Sequence, residues 1–108
     1  MPWTVETLDE TVDGEIAALP MSLQARLIRL FEMVEHLGLE RIHEPHAKHL
    51  RGKLWELRAK SPAGIARGIY VAVTGQRVVV LHVFAKKSQK TPPSALAIAE
   101  NRLKQAMQ

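Results

Sequence analysis

The 108-residue sequence predicts an α+β domain in which an N-terminal strand precedes two helices packed on a curved antiparallel sheet, with a further helix at the C-terminus. Three observations lead there. The runs "KLWELRA", "IARGIYVAV" and "RVVVLHVFA" are rich in β-branched and aromatic residues, and only "KSPAG" and "TGQ" separate them, links that suit hairpins. "MSLQARLIRLFEMVEHLG" carries Leu23, Leu27, Leu30, Val34 and Leu37 at spacings of four, three, four and three, a single helical stripe. "PPSALAIAENRLKQAM" brings Ala95, Ile98, Ala99, Leu103 and Met107 near one face of a last helix. A chain of this length forms one domain, residues 1–108, around a single core.

Taken in order, "WTVETL" (Trp3 to Leu8) alternates bulky and polar residues and reads as the first strand. "DETVDGEIAALP" reads as a short helix with acids in its first turn, where they suit the helix dipole. Pro20 ends that helix and is tolerated at the start of the next, whose C-cap is Gly38. From Gly38 to Gly52 the chain is polar, holds Pro45 and three histidines, and has no sustained period, which predicts an irregular connection or a frayed helical extension. The helices are expected mainly on one side of the sheet.

The links also predict a register. A two-residue turn at Thr74–Gly75 pairs Val71 with Val78, Ile69 with Val80 and Arg67 with His82. A linker centred near Pro62–Ala63 sets Arg58 opposite Arg67 and Trp55 opposite Tyr70. Residues two apart share a face. One face then gathers Trp55, Leu57, Tyr70, Ala72, Val79, Leu81 and Val83, and the other Glu56, Arg58, Arg67, Ile69, Val80, His82 and Phe84. A row of Arg58, Arg67 and His82 would cross three strands. Two facing arginines repel and neither can lose its charge, so an anion bridging them is one reading. The other is that Glu56 pairs with one arginine while the second reaches water.

Charge sharpens the first reading. Residues 1–40 hold two basic side chains against eight acidic ones, a net of −6, whereas residues 41–108 hold thirteen against three, a net of +10. Such a split points to an anionic partner, nucleic acid being the commonest. The strand "RVVVLHVFA" spills Lys86, Lys87 and Lys90 at its exit. The absence of cysteine excludes a disulfide framework and a cysteine-based metal site. No apolar run approaches the roughly 18 residues of a membrane span, and "MPWTVETLDE" lacks the features of a signal peptide, so a cytoplasmic protein without membrane contact is expected.

The ordered pieces "L-W-E-L-R", "R-x-x-Y" and "F-x-K-K-x-x-K-T-P", with "W-T-V-E" at the start and "E-I-A-A-L-P" before the second helix, resemble the HigB/RelE-like toxins of bacterial toxin–antitoxin modules, in particular their phage-derived HigB-like branch within the RelE/ParE superfamily. The resemblance covers nearly the whole chain. It implies a metal-independent endoribonuclease that cuts mRNA on the ribosome, needs no cofactor, and is silenced by an antitoxin, here a helix-turn-helix protein of the HigA type. Carried residue by residue, it implies Arg58, Arg67, Lys86 and Lys87 as the catalytic set; Lys48, Arg51, Lys53, Lys60, His82 and Lys90, in the basic part of the chain, are expected as RNA contacts. The RelE pattern also has a lysine two positions before the "WELR" arginine and a tyrosine in the last helix; this chain has Glu56 and, at about the second position, Pro93. The chemistry is coherent, because RNA supplies its own 2′-hydroxyl nucleophile and clustered cations stabilise the pentacoordinate dianion. Lys86 or Lys87 would then serve as general base.

Other constellations compete with this one. His43, His46 and His49 in "HEPHAKH" suggest a metal, but Pro45 interrupts any helix there and no fourth ligand stands beyond Glu44. His82 would act as a general acid or simply sit satisfied in the sheet. Trp3 and Trp55 are able to stack on bases, although core packing is the expectation for Trp55. A non-enzymatic inhibitor of DNA gyrase of the ParE kind, on the same fold, is the alternative function; a pure binder has no need of the two strand arginines and the lysine pair.

Overall fold

The computed structural model describes residues 2–87 and 90–107. Its elements are β1 (Thr4–Thr7), α1 (Glu10–Ala17), α2 (Met21–Leu37), β2 (Ala47–Arg51), β3 (Leu54–Ser61), β4 (Gly64–Val73), β5 (Arg77–Lys86) and α3 (Pro93–Ala106), with a short 3₁₀ turn at Leu39–Arg41. The strands form one sheet in the order β1-β5-β4-β3-β2. β2 to β5 are antiparallel neighbours, whereas β1 joins β5 in parallel, so the sheet is mixed. No helix among the described residues is long and apolar enough to cross a membrane.

Local chemistry sets the helix ends. Asp9 caps α1 by accepting from the Val12 amide at 3.2 Å, and Glu10 and Asp13 occupy its first turn. α2 buries Leu23, Leu27, Leu30 and Val34, as their spacing predicts, but Leu37 at its end stays half exposed. Gly38 ends it at φ 92°, a conformation closed to side chains, and a Cβ there would meet Glu40 Oε1 at 2.5 Å.

The helices do not share one side of the sheet. α1 and α2 cover Leu57, Ala59, Ala66, Tyr70, Val78, Val80 and Val83, while Ala95 and Ala99 of α3 pack on the opposite face against Leu54, Ile69, Val71, Val79 and Leu81. The expectation of a mainly one-sided packing is thereby corrected, and the reason is visible in the strands. β4 is buried almost from end to end, as a strand with helices on both faces must be.

Two further corrections concern the sheet. The polar segment after Gly38 is not irregular throughout and does not extend α2: past a 3₁₀ turn at Leu39–Arg41, Ala47–Arg51 forms β2 on the edge of β3. The β4–β5 turn spans Thr74 to Gln76 rather than two residues, with Gly75 and Gln76 at φ 85° and 55°, so Val73 pairs with Arg77 and Val71 with Val79. That one-residue slip carries Val79 and Leu81 to the α3 face and Val80 to the α2 face. A bulge between Ile69 and Tyr70 then takes up one residue of β5, so that Ile69 faces His82, Arg67 faces Phe84, and Val83 and Phe84 return to the expected faces.

Candidate functional site

The β3–β4 register is the one expected: Arg58 lies opposite Arg67 and Lys60 opposite Ile65. Across β4, Ile65 faces Lys86 and Arg67 faces Phe84. Because residues two apart share a face, Glu56, Arg58 and Lys60 form a column beside Ile69, Arg67 and Ile65, with Lys86 completing the last row. One corner of the α3 face therefore holds Arg58, Lys60, Arg67 and Lys86 within neighbouring strands. The row does not contain His82, which pairs one step further along, opposite Ile69.

Glu56 organises this corner. Its carboxylate is completely buried and accepts from Arg58 Nε, from Arg67 Nη1 at 3.2 Å and from Thr91 Oγ1 at 2.8 Å. The pairing is thus shared between both arginines rather than given to one. Arg67 is fully enclosed and does not reach water, while the Arg58 side chain keeps 11% of its surface exposed. Burial holds the Arg67 guanidinium below its ordinary pKa, the Glu56 carboxylate opposes that, and the Arg58 charge adds to the lowering. An arginine cannot shed its proton in this range, so two cations share one carboxylate here.

Three shallow grooves open beside the corner. One, of about 270 Å³, runs between α2 and the β3 edge and is lined by Arg26, Arg29, Pro45, His46, Arg58 and Lys60 among others. A second, of about 370 Å³, is lined by Glu44, Pro45, Lys48, Arg58 and Lys60. The third lies at the β3–β4 turn, with Lys60 and Lys87 on its walls. Lys87 lies over that turn, its Cγ 3.7 Å from where a Cβ on Gly64 would stand. Glu44 is the one acid among the residues lining these grooves. β2 pairs with β3 as far as Leu57. Past that point Arg58 donates its amide to the His46 carbonyl at 2.8 Å, and Arg26 Nη1 donates to the Lys60 carbonyl at 2.9 Å.

The other candidates are dispersed. Arg51 pairs with Glu100 of α3 at 2.7 Å, and Lys53 lies in the β2–β3 turn, seven residues along the strand from Lys60, about 23 Å at the rise of an extended chain. His82 stacks on Phe84 at 5.1 Å and stands 3.1 Å from Glu15 Oε1 of α1, which also takes Arg102 of α3. Lys90 is exposed after the strand exit; Ser88 and Gln89 of the lysine motif lie outside the described residues. The three histidines of "HEPHAKH" make no metal-holding group among the described residues. Trp55 is not core: 41% of it is exposed.

Sequence reading missed Arg26, Arg29 and Thr91. A signal for the arginines exists, since they are the sole basic residues in an otherwise acidic first forty and stand three apart on one helix. Nothing local marks Thr91.

Comparison with known proteins fits this architecture. Residues 14–104 match the family of phage-derived Gp49-like proteins. No curated protein matches the chain. Among solved structures, a double arginine-to-alanine mutant of the E. coli toxin RelE in the free state superposes with a TM-score of 0.68 at 22% identity, covering 95% of this chain and 99% of that one. The archaeal RelE–RelB complex from Pyrococcus horikoshii OT3 gives 0.59 at 20% identity, over 83% and 100%. A sheet with α1 and α2 on one face, α3 on the other and a cationic corner between them is therefore a RelE-like fold, and the chain belongs to the phage-derived Gp49-like family.

Proposed function

We infer that the chain is the toxin of a toxin–antitoxin module, an endoribonuclease that cuts mRNA on the ribosome and is held inactive by a partner antitoxin. The observation that carries this reading is the gathering of Arg58 and Lys60 on β3 and Lys86 on β5 at one corner of the sheet, with β4 between them and Lys48 and Lys87 at the flanking grooves. A phosphodiester laid across that corner meets cations from several sides. The 2′-hydroxyl loses its proton to a base, for which Lys86 and Lys87 are the candidates. Its oxygen then attacks phosphorus, the 5′-oxygen leaves and takes up a proton, and the product is a 2′,3′-cyclic phosphate. Arg58 faces the dianion that forms on the way. Arg67, being enclosed, acts on Glu56 and Arg58 rather than on the RNA. The likeness to RelE and to the RelE–RelB complex supports the toxin reading and an antitoxin partner.

Primer extension on cellular mRNA after induction tests it. The wild type should produce discrete cuts, and Arg58→Ala and the double variant Lys86→Ala/Lys87→Ala should lose them by about a hundredfold, the loss typical of removing a group that stabilises developing charge. Growth arrest by all three without RNA cleavage would transfer the function to the non-enzymatic class.

A further inference from the structure

A groove larger than the three beside the cationic corner lies on the other face of the sheet and is unused by the mechanism above. α2 stops at Leu37, and beyond it Trp55 and Ala72 are left without helical cover. The opening, about 780 Å³, has Trp55, Tyr70 and Ala72 on its floor and Trp3, His43 and His49 among its walls. Its aromatic surfaces are held in place before any ligand arrives. The Trp3 indole donates to Glu40 Oε2 at 3.0 Å, and the His49 ring stands 4.9 Å from Trp55, its Nε2 2.9 Å from the Gly52 carbonyl. Tyr70 is buried, which pushes its hydroxyl up to about 12, so the group is a neutral donor and acceptor at physiological pH. It makes no hydrogen bond among the described residues.

We propose that this groove is a base-binding subsite, taking one nucleobase of the same single-stranded RNA whose phosphodiester lies on Arg58 and Lys60. The inference rests on the ribonuclease reading. Its own support is continuity, because Glu44 and Lys48 line both this groove and the one that holds Arg58 and Lys60. Lys48 at the junction suits the intervening backbone phosphate. Trp55 and Arg58 are three residues apart on β3, about 10 Å along the strand and on opposite faces, so the RNA rounds the β2 edge at Lys48 between them. A flat base stacks on the exposed part of the Trp55 indole, beside the His49 ring already packed against it, and the Tyr70 hydroxyl offers it one polar contact; stacking of this kind accepts any base.

Fluorescence anisotropy with a short oligoribonucleotide, 2′-O-methylated so that it is not cut, tests the subsite on the intact protein. Trp55→Ala should weaken binding about tenfold and Trp55→Phe should restore most of it. Against an oligonucleotide with a single abasic position in the matching register, Trp55→Ala and wild type should bind alike, while Lys60→Ala weakens both ligands equally. Undiminished affinity in Trp55→Ala overturns the subsite alone. If that variant instead escapes antitoxin inhibition, the groove belongs to a protein partner. No binding by the wild type overturns the subsite, while the ribonuclease reading stands or falls with primer extension.

Discussion

Two glutamates in this protein each hold two basic side chains, and their surroundings give them opposite tasks. Glu56 sits in mid-sheet, with Arg58 two residues along its own strand and Arg67 on the next, and no part of it meets water. Glu15 projects from α1, takes Arg102 of α3 through both oxygens at 2.9 and 3.0 Å, and stands beside His82 with a fifth of its side chain exposed. It also accepts the Val83 amide at 2.9 Å. That amide lies past the end of β1, whose pairing stops at Thr7 opposite Val80, so Glu15 closes a sheet edge that would otherwise be open. Glu15 ties layers together. Glu56 keeps a surplus of positive charge in place beneath a surface where Arg58 emerges.

The largest effect should come from breaking the buried arrangement. Glu56→Gln takes the carboxylate charge away from the enclosed Arg67, and removing one partner of a buried pair costs about 3–5 kcal/mol. The urea midpoint should fall accordingly at unchanged slope. Adding Arg67→Met to that variant should recover more than half of the loss, because the enclosed cation goes with it. A cost under about 1 kcal/mol for the single variant would mean that water reaches Arg67 and that the two glutamates are energetically alike.

Glu15→Gln should cost less, about 1–2 kcal/mol, since its partners are partly solvated and the amide oxygen still accepts from Val83. Amide exchange at Val83 reads the edge directly and should accelerate in Glu15→Ala far more than in Glu56→Gln. RNA cleavage by Glu15→Gln should match the wild type. Loss of cleavage there would place the Glu15 cluster in the reaction and dissolve the division of labour.

Much of this was legible in the chain. The α2 stripe, the three long strands and the Arg58–Arg67 pairing follow from periodicity and from the five-residue linker, both local properties. What periodicity does not carry is edge pairing: Ala47–Arg51 is too short and polar to declare itself, and it becomes a strand because β3 offers it an edge. The His82 position depended on a turn length and a bulge, each worth one residue of register. Trp55 was assigned to the core by its residue type, yet the end of α2, many residues away, decides that it is left uncovered. The burial of Arg67 has the same origin, since α3 and Thr91 close over that face only in three dimensions.

A third carboxylate sets the lower end of the comparison. Glu6 on β1 pairs with Arg77 at the start of β5, and both side chains are more than 40% exposed. The hydrogen bond from Arg77 holds the Glu6 carboxyl below the usual carboxylate range, with burial working the other way and the Arg77 charge adding to the lowering. Since the folded-state value is the lower one, the pair's contribution is present above the ordinary carboxylate pKa and disappears as pH falls through the folded value. The effect on stability should be small enough that Glu6→Gln and wild type unfold together at physiological salt and separate only at low ionic strength. The carboxyl itself is the sharper reporter. Its NMR titration should move up towards the ordinary range in Arg77→Ala and shift less on adding salt to the wild type, because a direct hydrogen bond leads the lowering and only the coulombic part is screened. A salt response as large as that of the mutation would show that the exposed pair acts by charge alone. Contact geometry would then matter for Glu56 and Glu15 and not at the rim of the sheet.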